Sequence, residues 1–250
     1  MKWFEMVENE IFPKKGDREK SLFRIIPFDS LLQMLNEKKN TLVNTSKWED
    51  VYENFMLKEN FIVNGKTCTI ADLSNKYFGQ CWTTKASSDA MWRIYSPDKK
   101  SVRIKTTVGR LWDSVSAQMN DGRYAVGKVQ YISQSRIEED IINSSPFTLQ
   151  DLGDLMTLSL FVKRSSFSHE SEYRLIYVCS KESVDEGKMI KEVTINPQDF
   201  IMNIYFDPRA DQSYIDRCKK ILTKAFGYPI ERIHKSTLYD FKPCSITVVG

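Results

Sequence analysis

Two long stretches of strand-forming residues, 123–133 and 172–206, constrain the fold of this chain more than any other feature. Neither stretch is interrupted by helices of the length that a regular succession of parallel β-α-β units requires. These strands therefore have to pair mainly with antiparallel neighbours. The sequence predicts an α+β fold with a mixed, mostly antiparallel sheet and short helices packed around it.

Shorter elements surround these two stretches. Strands are predicted where β-branched and aromatic residues dominate, at 21–26, 41–46, 78–85 and 101–106. Helices are predicted where apolar residues recur at helical spacing, from residue 29 or 30, over 48–60, from 88 or 89, over 108–119, up to Lys163-Arg164, and over 213–227. In the helix after Ser88, Met91 and Tyr95 are spaced to stack and are expected to belong to the core.

The 250 residues, 41% of them hydrophobic, suffice for one large domain or two small ones. The chain contains no internal repeat, no low-complexity tract and no linker rich in Pro, Gly and Ser. Residues 1–250 are therefore predicted to form a single globular domain. Residues 1–20 are polar and charged and are expected to be a peripheral N-terminal segment.

Charge and composition narrow the function classes. The formal net charge of +3 neither requires nor excludes a nucleic-acid partner. No apolar stretch approaches the ~20 residues that cross a bilayer, and the N-terminus lacks a signal-peptide core, so a cytoplasmic protein without a membrane partner is expected. The five cysteines form no Cys-x-x-Cys pair and there are only two histidines, so reduced thiols and no metal site are expected.

The sequence "FSHESEYRLIYV", residues 167–178, contains the most suggestive pair of side chains. Glu170 and Glu172 stand two positions apart at the entry to a buried strand, and in strand geometry they point to the same side. The pair is either the edge of an active site or the solvated start of a strand. In the second case Lys163 and Arg174 would pair with the two carboxylates at the surface and contribute about 0–1 kcal/mol.

Several stretches together resemble the bacterial domain-of-unknown-function 2971 family. The resemblance covers roughly residues 20–240 and is strongest in "CWTTKASSDAMWRIYS" and "LFVKRSSFSHESEYRLIY". Its most specific residues are Cys81, Trp82, Met91, Trp92, Tyr95, Glu170, Glu172, Tyr173 and Arg174. An Asn-Asp-Pro-(Phe)-Glu motif typical of the family is replaced here by "WEDVYE", which keeps only Asp50 and Glu53. Some relatives lie near phage-defence genes.

The order of residues also resembles the Arg, Ser-Thr-Ser, Glu-x-Glu layout of one class of ADP-ribosyltransferases. The resemblance implies NAD as co-substrate, with Arg24 on its phosphates and the hydroxyls of Thr83 and Thr84 shaping the nicotinamide pocket. Glu172 would bond the nicotinamide ribose and stabilise an oxocarbenium-like transition state electrostatically. Glu170 would act as the base toward the acceptor, which is a protein or a nucleic acid.

Two further function classes stay open on the sequence alone. A metal-dependent nuclease would use Asp50, Glu53, Glu170 and Glu172 to hold Mg²⁺, with Lys163 as its lysine. A non-enzymatic defence or regulatory protein would instead expose Trp82 and Trp92 as a partner surface. A nucleophile at Cys81, with His169 or His234 as base, is the weakest hypothesis. The oligomeric state and the acceptor are not indicated by the sequence.

Overall fold

The computed structural model describes residues 1–8, 10–11, 16–50, 52–69, 71–118, 122–143, 147–180 and 189–248. Within these residues the chain forms strands β1 Ser21–Pro27, β2 Lys39–Asn44, β3 Asn60–Val63, β4 Lys66–Thr69, β5 Tyr77–Thr83, β6 Ser101–Thr107, β7 Gly122–Lys128, β8 Gln130–Ile132, β9 Val162–Arg164, β10 Glu172–Cys179, β11 Ile190–Thr194, β12 Asn203–Phe206 and β13 Ile233–Lys235. The helices are α1 Trp3–Glu8, α2 Phe28–Glu37, α3 Asp89–Tyr95, α4 Val108–Ser116, α5 Gln134–Ile142, α6 Leu149–Ser159, α7 Pro197–Phe200 and α8 Gln212–Phe226.

The main sheet follows the order β11-β2-β5-β1-β6-β12-β13, and β10 and β7 extend it from β5. All strand pairs of this sheet in the described residues are antiparallel except β12 with β13. The expected α+β fold with a mixed, mostly antiparallel sheet is confirmed. The antiparallel neighbours are mostly distant in the chain, since β1 pairs with β6 and β5 pairs with β10.

The sheet divides at β5. Along one edge, β5 pairs with β10 over its whole length, from Tyr77 to Thr83. Along the other edge it pairs with β2 at Phe78 and Gly79 and with β1 only at Thr83. Strands β1 and β2 therefore diverge from each other beside residues 80–82. We call this opening the fork.

Two hydrophobic clusters cover the two faces of the sheet. The first contains Trp82, Leu175 and α8, and the second contains Ile176 and α6. Helix α1 belongs to the second cluster, since Trp3 and Val7 are fully buried in it. The expectation of a peripheral segment over residues 1–20 is therefore wrong for α1, because its two large apolar side chains close this cluster.

The local helix signals agree with the structure. The Ser88 hydroxyl caps α3 by accepting a hydrogen bond from the Met91 N–H at 3.3 Å. Gly227 ends α8 in the left-handed conformation with φ of 59°. In the described part of the chain, no helix combines the length and the hydropathy needed to cross a membrane.

Two helix predictions are wrong. The described part of 48–60 forms turns with one short 3₁₀ segment, Phe55–Leu57, because the Asn54 amide is held by the Thr45 carbonyl at 2.9 Å. Helix α6 ends at Ser159, so Lys163 and Arg164 lie in β9 instead of at a helix end. In the first place a hydrogen bond to a residue nine positions back overrides the local periodicity, and in the second the pairing of β9 with β8 does so.

Candidate active site

A cavity of about 290 Å³ occupies the fork. This volume is near the lower end of the range of about 300–1,000 Å³ that small-molecule sites occupy. Residues of the four strands β1, β2, β5 and β10 and of α3 line the cavity, and two of them, Arg24 and Glu172, are charged. Its walls are formed by Phe23, Arg24, Ile25, Val43, Trp48, Gly79, Gln80, Cys81, Trp82, Thr83, Met91, Tyr95 and Glu172.

The floor of the cavity presents main-chain hydrogen-bonding groups. Across the β5–β10 ladder the Thr84 N–H donates to the Ser171 carbonyl. Main-chain groups alternate between the two edges of a strand, so those of Cys81 face the opposite edge, toward the fork. The neighbours on that edge are Val43 opposite Gly79 and Phe23 opposite Thr83, and neither register includes Cys81. A donor and an acceptor of Cys81 therefore face the cavity.

Glu172 forms one wall at the first residue of β10 and is held by two cations. Its Oε1 lies 3.0 Å from the Lys163 Nζ, and its Oε2 lies 2.6 Å from the Arg174 guanidinium. Burial alone would raise the pKa of Glu172, but Arg174 and Lys163 outweigh it and lower the pKa to about 2. Each carboxylate oxygen can accept more than one hydrogen bond, so the ionised side chain retains capacity for a ligand.

Glu170 contacts the same lysine, but it does not lie in extended strand geometry with Glu172 as the sequence predicted. It ends the 3₁₀ segment Ser165–Glu170, and Ser171 between the two glutamates adopts a left-handed φ of 47°. This costly backbone is held by Thr83, whose hydroxyl donates to the Glu170 carbonyl at 2.6 Å. The Thr84 hydroxyl donates to the Ser171 carbonyl at 3.3 Å.

The two threonines therefore differ from the expected hydroxyl pair. Thr83 lines the cavity and supports the turn before β10, whereas Thr84 is not on the cavity wall and contacts only the turn in this region. Glu170 is also off the wall. Its side chain pairs with Lys163 and accepts a hydrogen bond at 3.2 Å from the Tyr95 hydroxyl, which does line the cavity.

Behind Glu172 lies a buried charge cluster, which we define as Glu53, Lys163, Glu170, Glu172 and Arg174. Glu53 arrives from the turn before the 3₁₀ segment and pairs with both cations at 2.8 Å. Burial raises the pKa of Glu170, and its hydrogen bond to Glu172 raises it further against the effect of Lys163. Three carboxyl groups thus share two cations, and Glu172 is the member of the cluster that lines the fork.

The opposite wall presents the guanidinium of Arg24. This side chain is partly buried on β1, and no described residue forms an ion pair or a hydrogen bond with it. Burial lowers the pKa of Arg24, with a smaller opposing effect from Cys81. A partly desolvated guanidinium that has no acceptor among the described residues is energetically unfavourable. It is a suitable donor for the oxygens of a phosphate or carboxylate ligand.

Aromatic side chains support the two walls. Trp48 lies over the Arg174 guanidinium at 4.5 Å and packs so closely on Gly79 that a Cβ there would meet its ring at 2.5 Å. Trp82 and Trp92 are 2% and 0% exposed. Their burial counts against a regulatory protein that uses these two tryptophans as a partner surface.

The geometry disfavours both the metal-dependent nuclease and a nucleophilic Cys81. Asp50 lies apart from the three glutamates and pairs with Arg164 at 2.7 Å. Within the described residues, no group of three or more acidic, histidine or cysteine side chains is arranged to hold a metal ion. Burial raises the pKa of Cys81 to about 12, which keeps the thiol protonated and makes it a poor nucleophile.

Sequence reasoning underestimates Lys163 and Tyr95. It suggests Lys163 only as a surface pairing residue or as the lysine of a nuclease, and Tyr95 only as a core residue. Both lie in the segments on which the family resemblance rests, and a polar side chain at a predicted core position is the signal that could have pointed to Tyr95.

Comparison with protein families supports the resemblance seen in the sequence. Residues 91–175 match the family model described as a protein of unknown function, DUF2971. This segment contains α3 from Met91 onward and the whole Glu170–Arg174 stretch, so the expected resemblance is confirmed over about a third of the chain. The comparison with curated proteins returned no significant match.

Comparison with solved structures finds DarT from Thermus sp. 2.9. Its complex with NAD+ aligns with a TM-score of 0.40 and 13% identity, covering 90% of this chain and 97% of that chain. Its complex with ADP-ribosylated ssDNA aligns with a TM-score of 0.39 and 11% identity over the same shares of both chains.

Proposed function

We propose that the fork is the NAD site of an ADP-ribosyltransferase-like enzyme. The observation that supports this most is that opposite charges line one cavity: a guanidinium on β1 without a partner among the described residues, and an ionised, buried glutamate on β10. NAD has a matching distribution, with an anionic pyrophosphate and a nicotinamide ribose that becomes cationic as its glycosidic bond breaks. Arg24 would hold the pyrophosphate and Glu172 the ribose.

The floor of the fork suits the nicotinamide end. Along one edge a primary carboxamide presents an N–H donor beside its carbonyl acceptor in one plane, which complements the main-chain pair that Cys81 turns toward the cavity. Thr83 borders this position and fixes the turn that carries Glu170. In the reaction the bond between the ribose C1′ and the nicotinamide nitrogen breaks and its electron pair leaves with nicotinamide. Glu172 stabilises the developing positive charge, and an acceptor nucleophile then bonds to C1′.

Glu170 would act as the general base that removes the proton of the acceptor nucleophile. Because it lies behind the wall, it would take the acceptor proton through the Tyr95 hydroxyl, which reaches both the carboxylate and the cavity. The acceptor class, protein or nucleic acid, stays a prediction, as do a role in phage defence or stress and a cytoplasmic location. The chain is likewise proposed to act as a single domain over residues 1–250.

The test is the Glu172→Gln variant. Gln keeps the size of the side chain and one acceptor oxygen and removes the negative charge. We expect nicotinamide release from NAD to fall at least ~10²-fold, as is typical when an electrostatic stabiliser of a transition state is lost. Release would be measured with purified protein, NAD and cell extract as the source of acceptors.

The matched control is Glu192→Gln, which neutralises a glutamate of β11 that pairs with Lys39 at the surface. It should release nicotinamide at the rate of the unmodified protein. Equal release by the Glu172→Gln variant would remove Glu172 from the chemistry. No release from the unmodified protein with any extract would refute the proposed function.

A further inference from the structure

Lys163 stands at the centre of the buried charge cluster. Its Nζ lies 2.8 Å from Glu53 and 3.0 Å from Glu172, and it also contacts Glu170. An ammonium has three N–H donors, so each of its hydrogens faces a different carboxylate. The ring of Phe167 lies 4.7 Å from the same nitrogen and closes its remaining side. Lys163 is only 6% exposed and does not line the fork cavity.

Lysine is better suited to this position than arginine. A compact ammonium can donate in three diverging directions, whereas the planar guanidinium favours two parallel hydrogen bonds to one carboxylate. Arg174 illustrates the difference, because it contacts Glu53 and Glu172 but not Glu170. Among the described residues, Lys163 is thus the one cation that bridges Glu170 and Glu172.

By contacting both Glu170 and Glu172, Lys163 offsets the repulsion between their carboxylates, which the backbone at Ser171 brings together. The left-handed Ser171 turns Glu170 back toward Glu172, so that both carboxyl groups contact the same Lys163 ammonium. Two carboxylates this close favour protonation of one of them. A cation between them lets Glu172 stay ionised while Glu170 is oriented toward Tyr95.

We infer that Lys163 is the positioning residue of this site. It holds the Glu172 carboxylate ionised at the cavity wall and aims Glu170 at the Tyr95 hydroxyl, without touching the substrate itself. The role rests on the proposed NAD chemistry of Glu172. The other titratable groups that face this part of the cluster are Tyr95 from α3, Tyr131 from β8, Cys81 from β5 and Arg174 from β10.

The experiment compares two variants that share one substitution. Lys163→Met alone would leave three buried carboxyl groups with one cation and could prevent folding. The double variant Glu53→Gln with Lys163→Met removes one charge of each sign and keeps the net charge of the cluster. Glu53→Gln alone is the matched control, because it retains the bridge between Glu170 and Glu172.

Two readouts are needed. With ¹³C-labelled glutamate, NMR follows the titration of the Glu172 carboxyl, assigned by its absence in Glu172→Gln. Against Glu53→Gln, we expect its midpoint to rise by at least one pH unit in the double variant. The acid limb of kcat for nicotinamide release should shift in the same direction, with kcat at least ~10-fold lower and the KM for NAD within about threefold.

A Glu172 midpoint that is equal in the double variant and in Glu53→Gln would overturn the inference, whether or not the protein turns over NAD. A shifted midpoint with an unchanged kcat profile would show that Lys163 has only a structural role, and it would overturn the inference too. An unmodified protein that releases no nicotinamide would overturn the proposed function, and the role of Lys163 in it, while the NMR result still reports whether the bridge ionises Glu172.

Discussion

The fork cavity has a β10 wall, which carries Glu172, and a β1 wall, which carries Arg24, and the two differ in whether their charged side chains are paired. On the β10 wall every charged side chain of the buried cluster has partners of opposite sign, and Arg174 is fully buried with Glu53 and Glu172. On the β1 wall Arg24 has no acidic or hydrogen-bonding partner among the described residues. Neither wall is an ordinary hydrophobic surface, although both strands also contribute to the first hydrophobic cluster.

The difference indicates what each wall does for the protein. Removing one partner of a buried ion pair leaves the other charge uncompensated in a low-dielectric interior. Substitutions of the charged side chains at the β10 wall should therefore lower the stability of the fold. Arg24 has no partner among the described residues and contributes no such pair, so under the proposed function it serves ligand binding and not stability. Substitutions on the two walls should therefore change different measurable quantities.

The largest effect on stability should come from Arg174→Met. It leaves Glu53 and Glu172 with Lys163 as their shared cation in a buried site, so the free energy of unfolding should fall by ~3–5 kcal/mol. Urea denaturation followed by circular dichroism would measure it. A loss below ~1 kcal/mol would mean that the β10 wall is not tied to folding, and the contrast between the walls would disappear.

The second-largest effect should be a loss of stability at acid pH, which originates at the β10 wall. The pKa of Glu172 is lowered in the fold from an ordinary value of 4.5 to about 2, so its stabilising effect is present above pH ~4.5 and is lost as the pH falls toward 2. The loss attributable to Glu172 should be about 3 kcal/mol over that window. Urea denaturation at a series of pH values would show it as a steeper decline in the unmodified protein than in Glu172→Gln. Parallel declines would contradict the lowered pKa.

The contact between Gly79 and the Trp48 ring, which covers Arg174, should tolerate little added volume. In Gly79→Ala the new Cβ would lie 2.5 Å from the Trp48 ring, which covers Arg174, so a loss of ~1–3 kcal/mol is expected. Gly153→Ala in α6 is the matched control, because nothing lies within 4 Å of its Cβ and alanine favours a helix. Thermal unfolding compares the two variants. A neutral Gly79→Ala would mean that Trp48 can move away without affecting the cluster.

The smallest effect on stability should come from the β1 wall. Arg24→Met removes a guanidinium that has no described partner, so the free energy of unfolding should change by less than ~0.5 kcal/mol or rise slightly. Binding of NAD, measured by calorimetry, should weaken at least ~10-fold because a charged hydrogen-bond donor to phosphate is lost. Lys128→Met, an exposed position on β7, should leave binding unchanged. If Arg24→Met bound NAD as tightly as the unmodified protein, Arg24 would not be a ligand-binding residue.

The elements that sequence reasoning locates correctly depend on neighbouring residues. Ser88 caps α3 within its first turn, Gly227 ends α8, and the apolar run after Glu172 forms β10. The failures at 48–60 and at Lys163 have the opposite origin, since both segments form ion pairs with distant parts of the chain, Asp50 with Arg164 and Glu53 with Lys163. Local periodicity contains no information about such partners.

The sequence by itself determined the fold class, the strand that begins at Glu172 and the set of residue types at the site. Caps, periodicity and β-propensity act over a few residues, and these features follow from them. The tertiary structure alone decided that β1 and β2 diverge along β5, that Glu53 and Lys163 meet Glu172, and that Arg24 is left without a partner among the described residues. Each of these depends on how distant segments pack, because a charge is paired or unpaired only by what the whole fold places beside it.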